Sequence, residues 1–184
     1  LLGGIPALAT FKPVAGGGMG EIRGRATAAL PVLMQGVATI ESIMPRAKGL
    51  KVFGQLQAGY RKVGLDAAIS GIQDADQQTL VSAYRAALSQ YNLVISGTAV
   101  TDREFVNNLG SVAELTIDKP QTRKSKRALL QAMLASTIAV ASGNSDPLSA
   151  ANNVLRLAEA QKMPAGMIQA LRRIRDEAHL QTTG

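Results

Sequence analysis

The sequence predicts an all-α fold, a multi-helix bundle of about six to seven helices that follows an extended N-terminal arm. Apolar residues recur every three or four positions in each long segment, and no segment alternates apolar and polar residues over six or more positions. The composition agrees, because 46% hydrophobic residues with only 3% aromatics indicate an alanine-rich core. Such a core suits closely spaced helices, and we expect oligomerisation to complete it.

The arm occupies residues 1–18, where Gly and Pro interrupt LLGGIPALATFKPVAGGG and no helical period is visible. It is apolar for a free tail, so we expect it to lie against another surface. Residues 19–184 then form a single α-helical domain, which is an ordinary domain size. Because the chain begins with Leu1, we expect that a leader was removed or that more chain precedes it.

One long helix comes first. Apolar residues stand every three or four positions from Ile22 to Met44. Pro31 lies inside this stripe, so we expect a kink near residues 27–31, and we expect Pro45 to close the helix. A second stripe, over residues 50–63, predicts another helix, and a short helical turn follows it.

Capping signals mark the later helices. Asp74 is a natural N-cap with Gln77 three positions on, and Gly97 is a natural stop. TDRE at 101–104 is a capping box, and Pro120 suits a first helical turn. Three helices divide the last part of the chain, with boundaries at Gly143, Asp146-Pro147 and Met163-Pro164.

The charge is unevenly placed along the chain, which has a net charge of +7. Residues 1–63 carry eight Lys/Arg against two acids, residues 64–118 two against seven, and residues 119–184 ten against four. This pattern fits a solvated surface, contact with nucleic acid or another anionic surface, or pairing with copies of the chain.

Basic residues are the candidate contacts for phosphate, DNA or a partner protein. They are Arg23, Arg25, Arg123, Lys124, Lys126, Arg127, Arg172, Arg173 and Arg175. No aromatic residue is interleaved with them, so base stacking is not supported. The group at 123–127 stands at a helix start, where positive charge opposes the helix dipole, and this favours an external anionic partner.

TRKSKRALLQAMLASTIAVAS, residues 122–142, places basic residues before an uncharged stretch, as a membrane helix does. Its strongly apolar part is about 14 residues, short of the roughly 20 that span a bilayer. Two interpretations remain open, a buried helix with a small Ala/Ser face and a membrane or assembly helix. The assembly helix would use Leu129, Leu130, Met133, Leu134 and Ile138.

The residue types that support catalysis are sparse, and we expect no enzyme, no metal and no cofactor. There is no cysteine, and the single histidine, His179, lies near the end of the chain. The acidic pairs at 74 and 76 and at 102 and 104 stand at helix starts, where capping explains them.

GGGMGEI, residues 16–22, resembles the glycine-rich loop of serine/threonine kinases. The other kinase motifs, Val-Ala-Ile-Lys, His-Arg-Asp and Asp-Phe-Gly, are missing from the sequence. We therefore interpret the segment as a hinge in front of the first helix, formed by Gly16, Gly17, Gly18 and Gly20.

The same segment, extended to GGGMGEIRGRATAALPVL, is similar to one found in the DNA ejection proteins, which are internal virion proteins of tailed phages. The family segment reads Gly-Gly-Gly, a short turn, Glu, Gly and Ala-Thr-x-Ala before a long helix. The matching positions are Gly16, Gly17, Gly18, Gly24, Ala26, Thr27, Ala29 and Leu30. Glu21 departs from the family's Glu-Gly pair, because Arg23 stands before Gly24. LVISGTAVTDREF, residues 93–105, is similar to a turn common in phage structural proteins.

The resemblance implies a non-enzymatic virion structural protein, stored in the virion interior, that forms a homo-oligomeric helical ring or tube for DNA delivery across the host cell envelope and periplasm. It also implies portal or other ejection proteins as partners, with non-specific DNA contact and membrane contact on delivery. The residues themselves leave two alternatives, a basic nucleic-acid-binding module and a helical pore-forming or secreted effector.

Overall fold

A computed structural model describes residues 20–142 without a break and single positions between 148 and 180. The arm and three of the four hinge glycines, Gly16, Gly17 and Gly18, lie outside the described residues, as does Arg173. The fourth glycine, Gly20, opens the first helix.

The all-α prediction is confirmed. Six helices occupy the continuous part of the chain: α1 (Gly20–Ala47), α2 (Phe53–Val63), α3 (Leu65–Ser70), α4 (Ala75–Ser96), α5 (Asp102–Val112) and α6 (Pro120–Ser142). Within residues 20–142 there is no strand, and the one β-bridge joins Leu50 to Leu115 in the parallel sense.

The long helix α1 lies at the centre of the fold and packs along α4 and α6. Its buried stripe includes Ala26, Leu33 and Val37, as the spacing predicts. The expectation that Pro45 closes the helix is wrong, because α1 continues to Ala47. A proline removes one backbone donor, yet the packing on two neighbouring helices keeps the last turn helical.

The chain reverses direction directly after α1. Lys48 has a φ of 56° and Gly49 a φ of 112°, so two consecutive residues are left-handed. Leu50 then donates its backbone N–H to the Glu114 carbonyl at 2.8 Å and accepts from Thr116 N at 3.3 Å. Because these bonds hold Leu50 extended, the second helix begins later than its apolar stripe suggests, at residue 53.

The capping predictions are confirmed at three helix ends. Asp74 accepts hydrogen bonds from the backbone at the start of α4, and Gly97 ends that helix in the left-handed conformation. Thr101 and Glu104 form the complete capping box of α5. Gln77 behaves differently, because its side chain is buried and turns to the loop after α1, accepting from Lys51 N at 2.7 Å and donating to a nearby carbonyl at 3.0 Å.

The proposed assembly helix is part of the core in this structure. Leu129, Leu130, Met133 and Leu134 are buried, and Ile138 packs against the same core. Among the described residues, the helix that is long and apolar enough to cross a membrane is instead Glu21–Ala47, with a mean hydropathy of 1.3. A buried core helix meets the same criterion, and α1 contacts two helices of the bundle.

Candidate functional site

A cleft of about 850 Å³ opens between the C-terminal end of α1 and the N-terminal end of α6. Basic, acidic and apolar side chains all contribute to its walls. The lining residues are Ile40, Glu41, Met44, Pro45, Lys48, Glu114, Asp118, Pro120, Arg123, Lys124, Arg127 and Leu130.

A buried carboxylate organises the wall of the cleft. Glu114 follows α5 and is only 3% exposed, although it carries a charge. Arg127 approaches it from α6 with two nitrogens, Nη2 at 2.8 Å from Oε1 and Nε at 3.3 Å from Oε2. This paired geometry is the strongest arrangement of an arginine on a carboxylate, and it raises the pKa of Arg127.

Arg123 lies one turn before Arg127 and covers the reversal after α1. Its Nη2 lies over Gly49, where a Cβ would stand 2.8 Å from the backbone N of Thr116 and the φ of 112° also favours glycine. The Nε of Arg123 lies 3.9 Å from Oε1 of Glu114 and is buried without a hydrogen-bond partner among the described residues.

Glu41 faces the cleft from α1. Burial raises the pKa of this carboxyl group, and the nearby Arg127 opposes the shift. Its Oε1 is buried and has no hydrogen-bond partner in the part of the chain that the structure describes. Each wall of the cleft therefore contains one buried polar atom without a hydrogen bond. These atoms are the acceptor of Glu41 on α1 and the donor of Arg123 on α6.

Two lysines stand exposed at the rim of the cleft. Lys48 comes from the end of α1 and Lys124 from the first turns of α6. Neither has an ion pair within residues 20–142 or at the single positions described beyond them. An incoming anion can therefore bind either lysine without displacing a carboxylate.

The structure brings together three of the basic residues that the sequence singled out, Arg123, Lys124 and Arg127. Sequence reasoning missed Lys48, which is 75 or more positions away along the chain from all three. A lysine just past a helix end is a local signal, since cations favour helix C-termini, but nothing local predicts its distant neighbours.

Lys126 is a correction to the predicted contact group. Its side chain turns inward, and its Nζ donates to the carbonyls of Gly110 at 2.8 Å and Ala113 at 3.0 Å and to Oδ2 of Asp118 at 2.6 Å. These carbonyls lie at the end of α5, where no N–H group of the helix can bond to them, and the ammonium group of Lys126 supplies that hydrogen bond. It is therefore a structural cation rather than a contact for an external anion.

The two arginines of α1 and those near the end of the chain lie elsewhere. Arg25 is half-buried, and it donates to the Val94 carbonyl at 3.2 Å and to Glu21 at 3.0 Å, so it already serves this chain. Arg23 sits on the same helix and is half-buried. Arg172 forms an exposed ion pair with Glu159, and Arg175 forms one with its neighbour Asp176.

Capping explains two of the four acids at the helix starts, as predicted, and the other two form ion pairs instead. Asp74 caps α4, and its neighbour Asp76 pairs with Arg46 at 2.9 Å. Asp102 pairs with Arg85 at 3.0 Å, and Glu104 completes the capping box. Over the described residues, no group of three or more His, Asp or Glu side chains is placed to hold a metal ion.

Comparisons with protein-family models, with curated proteins and with solved structures each gave no match to the chain.

Proposed function

We propose that this chain is a non-enzymatic structural protein of a tailed-phage virion, a DNA ejection protein that acts as a homo-oligomer. One observation carries the proposal. The described part of the first segment that resembles phage proteins, residues 20–33, contacts the second such segment, residues 93–105, at one joint. Arg25 of the first segment donates to the Val94 carbonyl of the second at 3.2 Å, across 69 positions of sequence.

The joint accounts for residues in both segments. Gly97 has a φ of 75°, and a Cβ there would lie 3.0 Å from Nη1 of Arg25. The positive φ of Gly97 favours glycine there, and the end of the Arg25 side chain lies against it. Two short motifs that build one joint support the resemblance more strongly than two motifs that lie apart.

The proposal has consequences for place and partners. The protein is stored in the virion interior and leaves with the DNA, so its partners are further copies of itself and portal or other ejection proteins. Contact with DNA is non-specific and uses exposed basic residues. Contact with the envelope on delivery exposes α1, whose 28 residues are about 42 Å long.

The first test is assembly. Native mass spectrometry and light scattering at rising protein concentration, with and without anionic liposomes, are expected to give defined multiples of the 19.2 kDa chain. A monomer under every condition overturns the proposed oligomer.

The second test is location. In purified particles whose genome encodes this chain, mass spectrometry is expected to detect it before DNA release and to find it depleted from the emptied particles. A chain that remains in emptied particles is not an ejection protein, and a chain missing from full particles is not a virion protein at all.

A further inference from the structure

We propose that the cleft between α1 and α6 binds an acidic peptide segment of a partner protein, one with carboxylates beside an apolar side chain. The inference rests on the cleft alone and does not depend on the virion proposal.

The cleft presents positive charge that is available to a ligand. Lys48 and Lys124 reach the cleft from opposite walls and are exposed at its rim. Arg127 is half exposed, so its guanidinium also reaches solvent while it holds Glu114. An acidic segment laid along the cleft therefore meets cations from both helices, which steer its approach.

The cleft also holds a guanidinium fixed in place. Arg127 binds Glu114 with two nitrogens, and that carboxylate orients the guanidinium before any ligand arrives. Two further polar atoms of the wall, Nε of Arg123 and Oε1 of Glu41, are closed to solvent and take no part in holding a ligand.

The cleft also offers apolar surface. Ile40, Met44 and Leu130 form its floor and are almost fully buried, while Pro45 and Pro120 stand exposed at its edges. An apolar side chain of the ligand can pack on these prolines while its acidic neighbours reach the rim. Apolar contact with a few placed polar groups is typical of specific binding sites.

The same features disfavour a nucleic acid in this cleft. Glu41, Glu114 and Asp118 stand among its cations, and they repel a continuous phosphate backbone. None of the lining residues that the structure describes is aromatic, so bases have no surface on which to stack. An acidic peptide carries fewer charges per unit length and can place them beside the cations alone.

A displayed random peptide library tests the proposal. It is selected on the immobilised full chain, with counter-selection on the double variant Lys48→Glu/Lys124→Glu. We expect the enriched sequences to place Asp or Glu beside Leu, Ile or Met. Synthetic versions of them are expected to bind Lys124→Glu about tenfold more weakly than the unchanged chain, because one favourable charge contact becomes repulsive.

Lys62→Glu is the matched control, since Lys62 is an exposed lysine on α2 that does not line the cleft. We expect it to bind the same peptides as the unchanged chain does, and circular dichroism checks that both variants are folded.

Peptides that bind Lys124→Glu and the unchanged chain equally well overturn the proposal, as does a selection that enriches nothing. A short single-stranded DNA that binds through Lys124, when no peptide does, overturns it in favour of a nucleic acid. Oligomer mass and location in the virion are separate measurements, so neither outcome decides this one.

Discussion

Two clusters of ion pairs in this protein have the same chemistry and nearly the same distances but opposite surroundings. Lys126 and Asp118 meet at 2.6 Å with side chains 6% and 12% exposed. On another part of the surface, Arg85 meets Asp66 at 2.6 Å with side chains 35% and 86% exposed, and it also meets Asp102. The contrast teaches that burial, rather than distance, decides what an ion pair does for stability.

The physical reason is the cost of leaving one partner alone. A buried charge that loses its partner cannot regain water, whereas an exposed charge is rehydrated at once. The buried cluster also binds backbone carbonyls, so its members have several partners to lose.

Lys126→Met is expected to lower the free energy of unfolding by about 3 to 5 kcal/mol, because the largely buried Asp118 loses its cation and keeps only the Leu115 N–H at Oδ2, while two carbonyls lose a donor. Urea denaturation followed by circular dichroism measures the change. Lys124→Met, two positions earlier on the exposed side of α6, is the matched control and is expected to stay within about 0.5 kcal/mol. Equal effects of the two variants would contradict the comparison.

Glu114→Gln is expected to cost less, about 1 to 3 kcal/mol, although Glu114 is as buried as Lys126. Its main partner Arg127 is 49% exposed and regains water when the carboxylate is neutralised. Asp66→Asn is the control with the same change of charge at an exposed pair. The same denaturation series decides the point, and a larger loss for Asp66→Asn would reverse the argument.

Two carboxyl groups outside these clusters extend the comparison of surroundings, because the partly buried Glu41 and the exposed Glu104 are expected to respond to pH in opposite directions. Burial raises the pKa of Glu41 above the usual 4.5, so the folded state holds that proton more tightly, and this contribution to stability is lost as pH rises through the folded pKa. Hydrogen bonds from the backbone and hydroxyl of Thr101 lower the pKa of Glu104, so its contribution is lost as pH falls through the folded pKa.

The test is the free energy of unfolding across a pH series for Glu41→Gln and Glu104→Gln. Relative to the unchanged chain, the Glu41 variant is expected to gain stability as pH rises above about 4.5. The Glu104 variant is expected to gain as pH falls below that value. Parallel pH profiles would show that the surroundings of the two groups do not differ as described.

Arg85→Met is expected to have the smallest effect, about 0.2 to 1 kcal/mol, because all three charges of its cluster reach solvent. The loss should shrink further in concentrated salt, which screens exposed charges but leaves the Lys126 effect in place. Denaturation of both variants at low and high salt provides the measurement. If salt does not change the loss of stability in Arg85→Met, the Arg85 cluster behaves like the buried one and the comparison fails.

Much of the fold was predictable because its signals are local. Asp74, Thr101 and Gly97 act within a few residues of their own position, so sequence alone identified their roles. The stripes of α1 and α6 likewise follow from helical spacing. The turned loop at Leu50 was not predictable, because its hydrogen bonds reach residues more than 60 positions later.

The cleft was predictable only in part. Of the basic group at 123–127, Arg123, Lys124 and Arg127 line the cleft while Lys126 turns inward, because successive residues of a helix are about 100° apart and do not share one face. Lys126 stands three and four positions before the buried Leu129 and Leu130, so spacing alone could have assigned it to the inner face. Lys48 and Glu114 join the cleft through tertiary contacts, which no local pattern encodes.

The central position of α1 also has a consequence for synthesis on the ribosome. This helix is translated before the other five described helices, yet its packing partners end only at Ser96 and Ser142. At about 5 to 20 residues per second, its apolar stripe stays uncovered for several seconds after it emerges. We expect nascent chains that are stalled before α6 to recruit chaperones. Chains that are stalled well beyond α6 are expected to release them.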